Sequence, residues 1–250
     1  MKIGLFIPCY VDQFYPQIGM ATVTILRDLL GHDVDFPTAQ TCCGQPMANT
    51  GCVEDTRPLA ERFVEIFADY ECIVSPSGSC VSMVKNHYEG YFHNRSAYNK
   101  VKSNIFELCE FVFDQQSIES FPNAFPYRVG LHSSCHGLRE LRLGSCSEKM
   151  TPLQGKVRGL LERVPDLELV DLERTDECCG FGGTFAVAEE GVSVAMGKDR
   201  VQDHVRSGAQ VMTATDASCL MHLQGIISRQ KQPIVSMHVA EILAGHQPSL

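Results

Sequence analysis

The 250-residue sequence has no long hydrophobic segment: none of its apolar runs approaches the roughly 18 residues that a membrane-spanning helix needs. Residues 1–8 are too short for a secretory signal peptide, and no small-residue cleavage site follows them. We therefore interpret this segment as part of a first buried strand. We expect a cytoplasmic protein without a transmembrane segment.

Basic residues are in the minority, with 21 Lys and Arg against 30 Asp and Glu and a formal net charge of −9. A field of this sign repels the phosphate backbone of nucleic acids. We therefore exclude nucleic acid as a partner.

Two common cofactor motifs are also missing. No GxGxxG fingerprint follows a predicted strand, and no ferredoxin-like C-x2-C-x2-C-x3-C run is present. What the sequence has in excess is cysteine, with twelve residues. In a reducing compartment so many thiols indicate metal ligation or redox chemistry rather than disulfides.

Short strand-like segments alternate with longer amphipathic ones, which is typical of an α/β fold with parallel sheets. Strands are predicted at 2–9, 34–36 and 72–75, with helices at 18–30 and 57–70. After a proline-containing linker at 117–127, the order returns with strands at 128–132, 167–172 and 210–214 and helices at 155–163 and 192–206. The apolar stretches 105–113 and 235–243 are expected to be helical. We predict two similar Rossmann-like domains, 1–120 and 121–250, related by internal duplication.

Eight of the twelve cysteines follow one duplicated pattern. The first half contains Cys9, the Cys42-Cys43-Gly44 triplet and Cys80, and the second contains Cys135, the Cys178-Cys179-Gly180 triplet and Cys219. The spacings are similar, at 33 and 37 residues in the first half and 43 and 40 in the second. Cysteines that merely fill an apolar core are not expected to repeat at such spacings, so these eight residues are the candidate site.

The single cysteines of this pattern fall at the carboxyl ends of predicted parallel strands, where open α/β sheets place their sites. The glycine after each cysteine pair permits a tight loop that turns both thiols toward one centre. Convergent thiolates suit iron–sulfur clusters or zinc. We predict one centre bound by Cys9, Cys42, Cys43 and Cys80, and a second bound by Cys135, Cys178, Cys179 and Cys219.

These motifs resemble those of the CCG-domain family of cysteine-rich iron–sulfur proteins, and the resemblance covers essentially the whole chain. The matching segments are CCGQP at 42–46, SPSGSC at 75–80, HSSC at 132–135, CCGFGGTF at 178–185 and HVAE at 238–241. Among the members, the two-domain proteins of lactate utilization systems are the most similar.

The resemblance implies a redox subunit of a complex that oxidises L-lactate, a small 2-hydroxy acid, to pyruvate. It implies an iron–sulfur cluster in each domain, a 4Fe–4S cluster by expectation. It also implies two partners: a ferredoxin-like iron–sulfur subunit that accepts the electrons, and a third lactate utilization subunit. A thiol/disulfide redox enzyme like heterodisulfide reductase is an alternative within the same family.

The sequence departs from the family's fullest motif, in which a terminal Cys-x-x-Cys brings five cysteines per half to a noncubane 4Fe–4S cluster. Ser77 and Asp216 stand where that motif has its additional cysteines. Each half therefore offers four cysteines, which leaves a conventional cluster, a smaller cluster or zinc in one domain as alternatives. Asp216 is a candidate oxygen ligand, a candidate acid or a helix cap.

Two functions of other classes remain as alternatives. A zinc-bearing scaffold would hold a partner enzyme without electron transfer, because zinc binds four thiolates and has no redox chemistry. A nucleophilic enzyme would use Cys135 with His132 or His136 as its base, although a nucleophile does not require duplication. These two histidines and His222, which follows Cys219, are candidate metal ligands or proton shuttles.

Overall fold

The computed structural model describes residues 1–93, 95–150 and 154–249 and contains two four-stranded parallel sheets, one in each half of the chain. The first consists of β1 (Lys2–Leu5), β2 (Asp33–Asp35), β3 (Cys72–Ser75) and β4 (Ile105–Glu107). The second consists of β5 (Arg128–Leu131), β6 (Glu168–Val170), β7 (Val211–Ala214) and β8 (Val235–His238). The strand orders, β2-β1-β3-β4 and β6-β5-β7-β8, are equivalent. The predicted α/β class with two similar domains is confirmed.

The helices follow the strands in the same sequence in both halves. The first half contains α1 (Cys9–Phe14), α2 (Pro16–Val23), α3 (Gln45–Asn49), α4 (Val53–Phe67), α5 (Gly78–Ser82), α6 (Ser96–Asn104) and α7 (Leu108–Gln115). The second contains α8 (Lys156–Leu161), α9 (Phe185–Ala188), α10 (Glu190–Arg206), α11 (Ala217–Gln230) and α12 (Val239–Leu243). Of the helices described, none has both the length and the apolar character required to cross a membrane.

Three segments have π-helical geometry: Thr24–Leu29 continues α2, Met83–His87 continues α5, and His136–Glu140 follows β5. The described residues also contain two short 3₁₀ turns, Glu89–Tyr91 and Ser147–Lys149. π-Helical turns occur frequently at functional sites. Here one of them begins directly after Cys135.

The first strand is shorter than the predicted 2–9, because β1 ends at Leu5 and α1 begins at Cys9. Pairing continues for one more residue, since the Phe6 N–H donates to the Val74 carbonyl at 2.9 Å. Pro8 then stands at the N-cap of α1, and proline has no N–H with which to extend a ladder. Cys9 therefore lies at the start of a helix rather than on the strand.

The helical prediction for 105–113 and 235–243 is wrong in the first part of each stretch, which forms β4 and β8. Each strand passes into a helix without a loop, and Glu107 and His238 occupy the N-caps. Glu107 accepts from the Cys109 N–H at 2.7 Å, and His238 Nδ1 accepts from the Ala240 N–H at 3.1 Å. A three- or four-residue buried strand is too short for its period to show beside a helix.

The two halves pack against each other through a shared apolar core. Residues of both halves belong to its largest cluster, in which α7 packs on α8 and α12 packs on α2. The predicted linker 117–127 contains no helix or strand. The division into domains 1–120 and 121–250 stays a prediction.

The order of the strands determines where a binding site forms. In each sheet the chain enters at an inner strand, β1 or β5, and later adds β3 or β7 on its other side. This reversal of strand order opens a crevice at the carboxyl ends of the two central strands, where ligands of open α/β sheets bind. Cys9 and Cys80 follow the central strands of the first sheet, and Cys135 and Cys219 follow those of the second.

Candidate metal centres

All eight repeated cysteines line one cavity of about 180 Å³ between the two halves. They are Cys9, Cys42, Cys43, Cys80, Cys135, Cys178, Cys179 and Cys219. From the sequence we expected one centre at the strand ends of each half. The structure adds that the two sets of four thiols face a common cleft.

In the first set, Cys42 is the thiol that its neighbours contact. The Cys9 Sγ lies 3.6 Å from the Cys42 Sγ, and the Gly44 N–H donates to the same sulfur at 3.3 Å. Hydrogen bonds from the thiols of Cys43 and then Cys9 hold the pKa of Cys42 well below its ordinary value. Cys42 is therefore the thiol of this set that loses its proton most readily, and thiolate is the form that binds metals.

The second set repeats this arrangement around Cys178. Hydrogen bonds from the thiols of Cys135 and then Cys179 lower the pKa of Cys178, and the Gly180 N–H donates to its Sγ at 3.4 Å. The Phe181 N–H donates to the Cys179 Sγ at 3.4 Å. Backbone N–H groups that point at sulfur are among the contacts that tune metal–thiolate centres.

The glycine of each triplet is required by both conformation and space. Gly44 has φ +82° and Gly180 has φ +87°, in the left-handed region that favours glycine. A Cβ at position 44 would lie 2.5 Å from Thr56 Cγ2, and one at position 180 would lie 2.6 Å from the Ser193 carbonyl oxygen. These glycines therefore let the loops turn both cysteines toward the cleft.

Ser77 and Asp216, the two positions where the five-cysteine motif has additional cysteines, contact each other across the halves. The Ser77 O–H donates to Asp216 Oδ1 at 3.0 Å, and the Ser79 N–H donates to the same oxygen at 2.9 Å. Ser77 Oγ also accepts from the Cys80 N–H at 3.3 Å. Asp216 is thus a helix cap, but for α5 of the other half rather than for α11, at whose N-cap it stands.

We expect Asp216→Ala to destabilise the fold by about 2 kcal/mol, because the Ser77 O–H and the Ser79 N–H both lose the buried acceptor that they share. The free energy of unfolding in urea measures this change. Asp28→Ala is the control, since Asp28 is an exposed partner of Arg27 and its loss should change stability by less than about 0.5 kcal/mol. Equal effects of the two substitutions would contradict the interhalf role of Asp216.

The candidate histidines differ in their partners. His136 Nε2 lies 3.2 Å from Gln45 Nε2, across the cleft, and His222 Nε2 lies 3.3 Å from the Ser193 carbonyl oxygen. His132 is only 1% exposed, and within the described residues neither of its ring nitrogens has a hydrogen-bond partner. Burial lowers the pKa of His132 to about 3, so its imidazole is neutral at physiological pH.

Neither imidazole proposed as a base for Cys135 hydrogen-bonds to that thiol among the residues that the structure describes. One ring nitrogen of His132 instead lies with the Sγ atoms of Cys179 and Cys219 in a group whose members are all within 4.8 Å of one another. The structure thus brings His132 to the second cysteine set.

The four cysteines outside the repeat are placed differently. Cys72 and Cys109 are buried in the apolar core, Cys52 is exposed and Cys146 is half-buried. None of the four belongs to the described lining of the cleft. Sequence reasoning missed two aromatic residues of that lining, Tyr10 and Phe181, whose rings meet edge to face at 5.8 Å across the halves. Their positions directly after Cys9 and the second triplet were the available signal.

Two parallel-sheet halves, each with a Cys-Cys-Gly loop at its strand ends, define a duplicated cysteine-rich domain protein. The family profile described as "Cysteine-rich domain" (CCG) matches residues 3–85 and 129–224. The chain belongs to this family.

Its relatives extend over the whole chain. It is 37% identical to lactate utilization protein A of Geobacillus thermodenitrificans over 246 residues, which are 97% of this chain and 98% of that protein. It is 36% identical over 247 residues to lactate utilization protein A of Bacillus subtilis, at 97% and 99% coverage. A crystal structure of a hypothetical protein from Helicobacter pylori shares the fold, with a TM-score of 0.64, 9% identity and coverage of 97% of this chain and 48% of that one.

Proposed function

We propose that the chain is an iron–sulfur redox subunit of a system that oxidises L-lactate to pyruvate. The observation that carries the proposal is the meeting of two equivalent four-cysteine sets in one cleft. The substrate comes from the relatives, which are named for lactate utilization.

The chemistry of the donor set fits a metal centre in each half. Each set holds one cysteine whose pKa is depressed by neighbouring thiols, and each receives N–H donors from the loop backbone. The first centre would be held by Cys9, Cys42, Cys43 and Cys80, and the second by Cys135, Cys178, Cys179 and Cys219. When bound, iron–sulfur clusters supply one-electron redox chemistry.

The number of centres in the cleft suits the oxidation of lactate. Oxidation of lactate to pyruvate releases two electrons and two protons, and two one-electron centres in one cleft match that electron count. Tyr10 and Phe181 line the same cavity as the thiols, and their rings contact each other across the halves. The electrons would leave to a ferredoxin-like iron–sulfur partner, with a third subunit completing the system.

One distance favours a second candidate, a zinc-bearing scaffold. The 3.6 Å between the Cys9 and Cys42 sulfurs is close to the about 3.8 Å edge of a tetrahedral site with Zn–S bonds of about 2.3 Å. Zinc in the first half would hold the fold together without carrying electrons. The two candidates differ in iron content and in visible absorption, since zinc–thiolate sites are colourless.

The test of electron transfer is lactate-dependent reduction of an artificial acceptor by the chain together with its two partner subunits, prepared without oxygen. We expect the double variant Cys42→Ser/Cys178→Ser to lose this activity to background, because serine is a poor ligand for soft metals. Cys52→Ser, which changes an exposed cysteine outside the cleft, should retain it. Full activity in the double variant would overturn the proposed function.

A further inference from the structure

His132 occupies the same place in the second half that Phe6 occupies in the first. Each residue directly follows the first strand of its sheet. The Phe6 N–H donates to the carbonyl of Val74 on β3, and the His132 N–H donates to the carbonyl of Thr213 on β7, at 2.9 and 2.8 Å. The duplicated fold therefore places an imidazole beside one cysteine set and a phenyl ring at the equivalent position of the other.

The side chains of Phe6 and His132 differ in whether the surrounding residues offer them suitable contacts. Phe6 packs edge to face against Phe63 and Phe67, with ring centroids 4.8 and 5.8 Å away. His132 is as deeply buried, but both of its ring nitrogens are without a partner within the described residues. A buried polar group without a partner costs about 1–3 kcal/mol. The His132 imidazole therefore needs a partner for its nitrogens, whereas the apolar phenyl ring of Phe6 needs none.

Among the described residues near His132, a charged side chain is already engaged, whereas two cysteines are within reach of the imidazole. The nearby Arg200 guanidinium is occupied by Asp203 and by the Arg174 carbonyl, so it does not bind the imidazole. The sulfurs of Cys179 and Cys219 are close enough to one His132 nitrogen for all three to surround a single ion. Imidazole and thiolate are donors that zinc and iron both accept.

We propose that His132 is a ligand of the second metal centre, together with Cys179 and Cys219. The inference rests on the proposed metal binding, and it makes the centres unequal, since the first set has thiolates alone. A neutral imidazole adds no negative charge to a ligand set, so the two centres should differ in reduction potential.

The test is to detect a histidine nitrogen on the metal of the full-length chain. The protein is purified without oxygen, with and without ¹⁵N-histidine, and its reduced centres are examined by pulsed electron paramagnetic resonance. We expect one of the two centres to show a strongly coupled nitrogen that changes with the label. This signal should be lost in His132→Phe, which copies Phe6, and retained in His222→Gln, because His222 is held by the Ser193 carbonyl.

Two outcomes would overturn the inference: coordination by sulfur alone in the wild-type protein, or a histidine signal that persists in His132→Phe. The first needs no variant and so does not depend on whether the substitution folds. If zinc fills the site, X-ray absorption at the zinc edge detects the same nitrogen. A nitrogen ligand without lactate-dependent electron transfer would overturn the proposed function alone, and transfer through all-sulfur centres would overturn the histidine ligand alone.

Discussion

Replacing Cys178 by serine is expected to remove the metal of the second half and to leave that of the first, so that the metal content falls to about half. The thiols of Cys135 and Cys179 hydrogen-bond to the Cys178 sulfur and lower its pKa, and the substitution removes this sulfur from the ligand set. A serine hydroxyl has a similar shape but is a poor ligand for zinc or for iron–sulfur clusters. Iron, zinc and acid-labile sulfide per chain give the result directly.

The equivalent change in the first half is the matched test. Cys42→Ser should remove the other half of the metal, and the double variant should bind none. Cys52→Ser is the control because Cys52 is exposed and lies outside the described lining of the cleft. A Cys178→Ser protein with the full wild-type metal content would show that Cys178 is not a ligand.

The second large effect is expected for Glu107→Gln. This substitution should abolish a pH dependence of the free energy of unfolding. Glu107 is fully buried at the N-cap of α7, and its Oε1 has no partner among the described residues. Burial, together with the charges of Asp216 and Glu110, raises the pKa of Glu107 from 4.5 to about 8. The carboxyl is therefore largely protonated in the folded protein at neutral pH.

The direction of this pH dependence follows from the difference between the pKa of Glu107 in the unfolded chain and its pKa in the folded chain. The unfolded chain releases the proton of Glu107 near pH 4.5, whereas the folded chain keeps it up to about pH 8. Glu107 therefore makes its full contribution to the stability of the fold below pH 4.5, and this contribution is lost as the pH rises to 8. Between pH 5 and 8 the unfolding free energy of the wild type should fall, relative to Glu107→Gln, by about 3 kcal/mol.

Urea unfolding of both proteins across this pH range measures the difference, and subtracting one curve from the other removes the contribution of every group they share. Glu162→Gln is the control, because Glu162 is an exposed partner of Arg158 and should leave the slope unchanged. A difference between wild type and Glu107→Gln that stays constant from pH 5 to 8 would show that Glu107 is ionised in the fold.

The convergence of the cysteines within each half follows from the sequence, because the carboxyl ends of parallel strands share one edge of a sheet. Spacing relative to the predicted strands was therefore enough to group Cys9 with Cys80 and Cys135 with Cys219. The conformation of the glycines was predictable for a similar reason. A cysteine pair can turn toward one point only if the next residue tolerates a positive φ, as Gly44 and Gly180 do.

The features that could not be predicted from the sequence are those that depend on how the two halves are oriented relative to each other. The common cleft and the bond between Ser77 and Asp216, which are 139 residues apart, exist only because equivalent positions meet across the interface. Neither residue carries a local signal of this contact. β4 and β8 were missed because each passes directly into a helix, although the capping motifs at Glu107 and His238 mark where those helices begin.

In the proposed function, two cysteine sets bind two redox-active centres in one cleft. The measurement that tests it most directly is the iron, zinc and acid-labile sulfide content of the protein purified without oxygen, together with its visible spectrum. We expect iron and sulfide in amounts that fill both halves, with broad visible absorption. A colourless protein that contains neither metal nor sulfide, and whose twelve thiols all titrate freely, would contradict it.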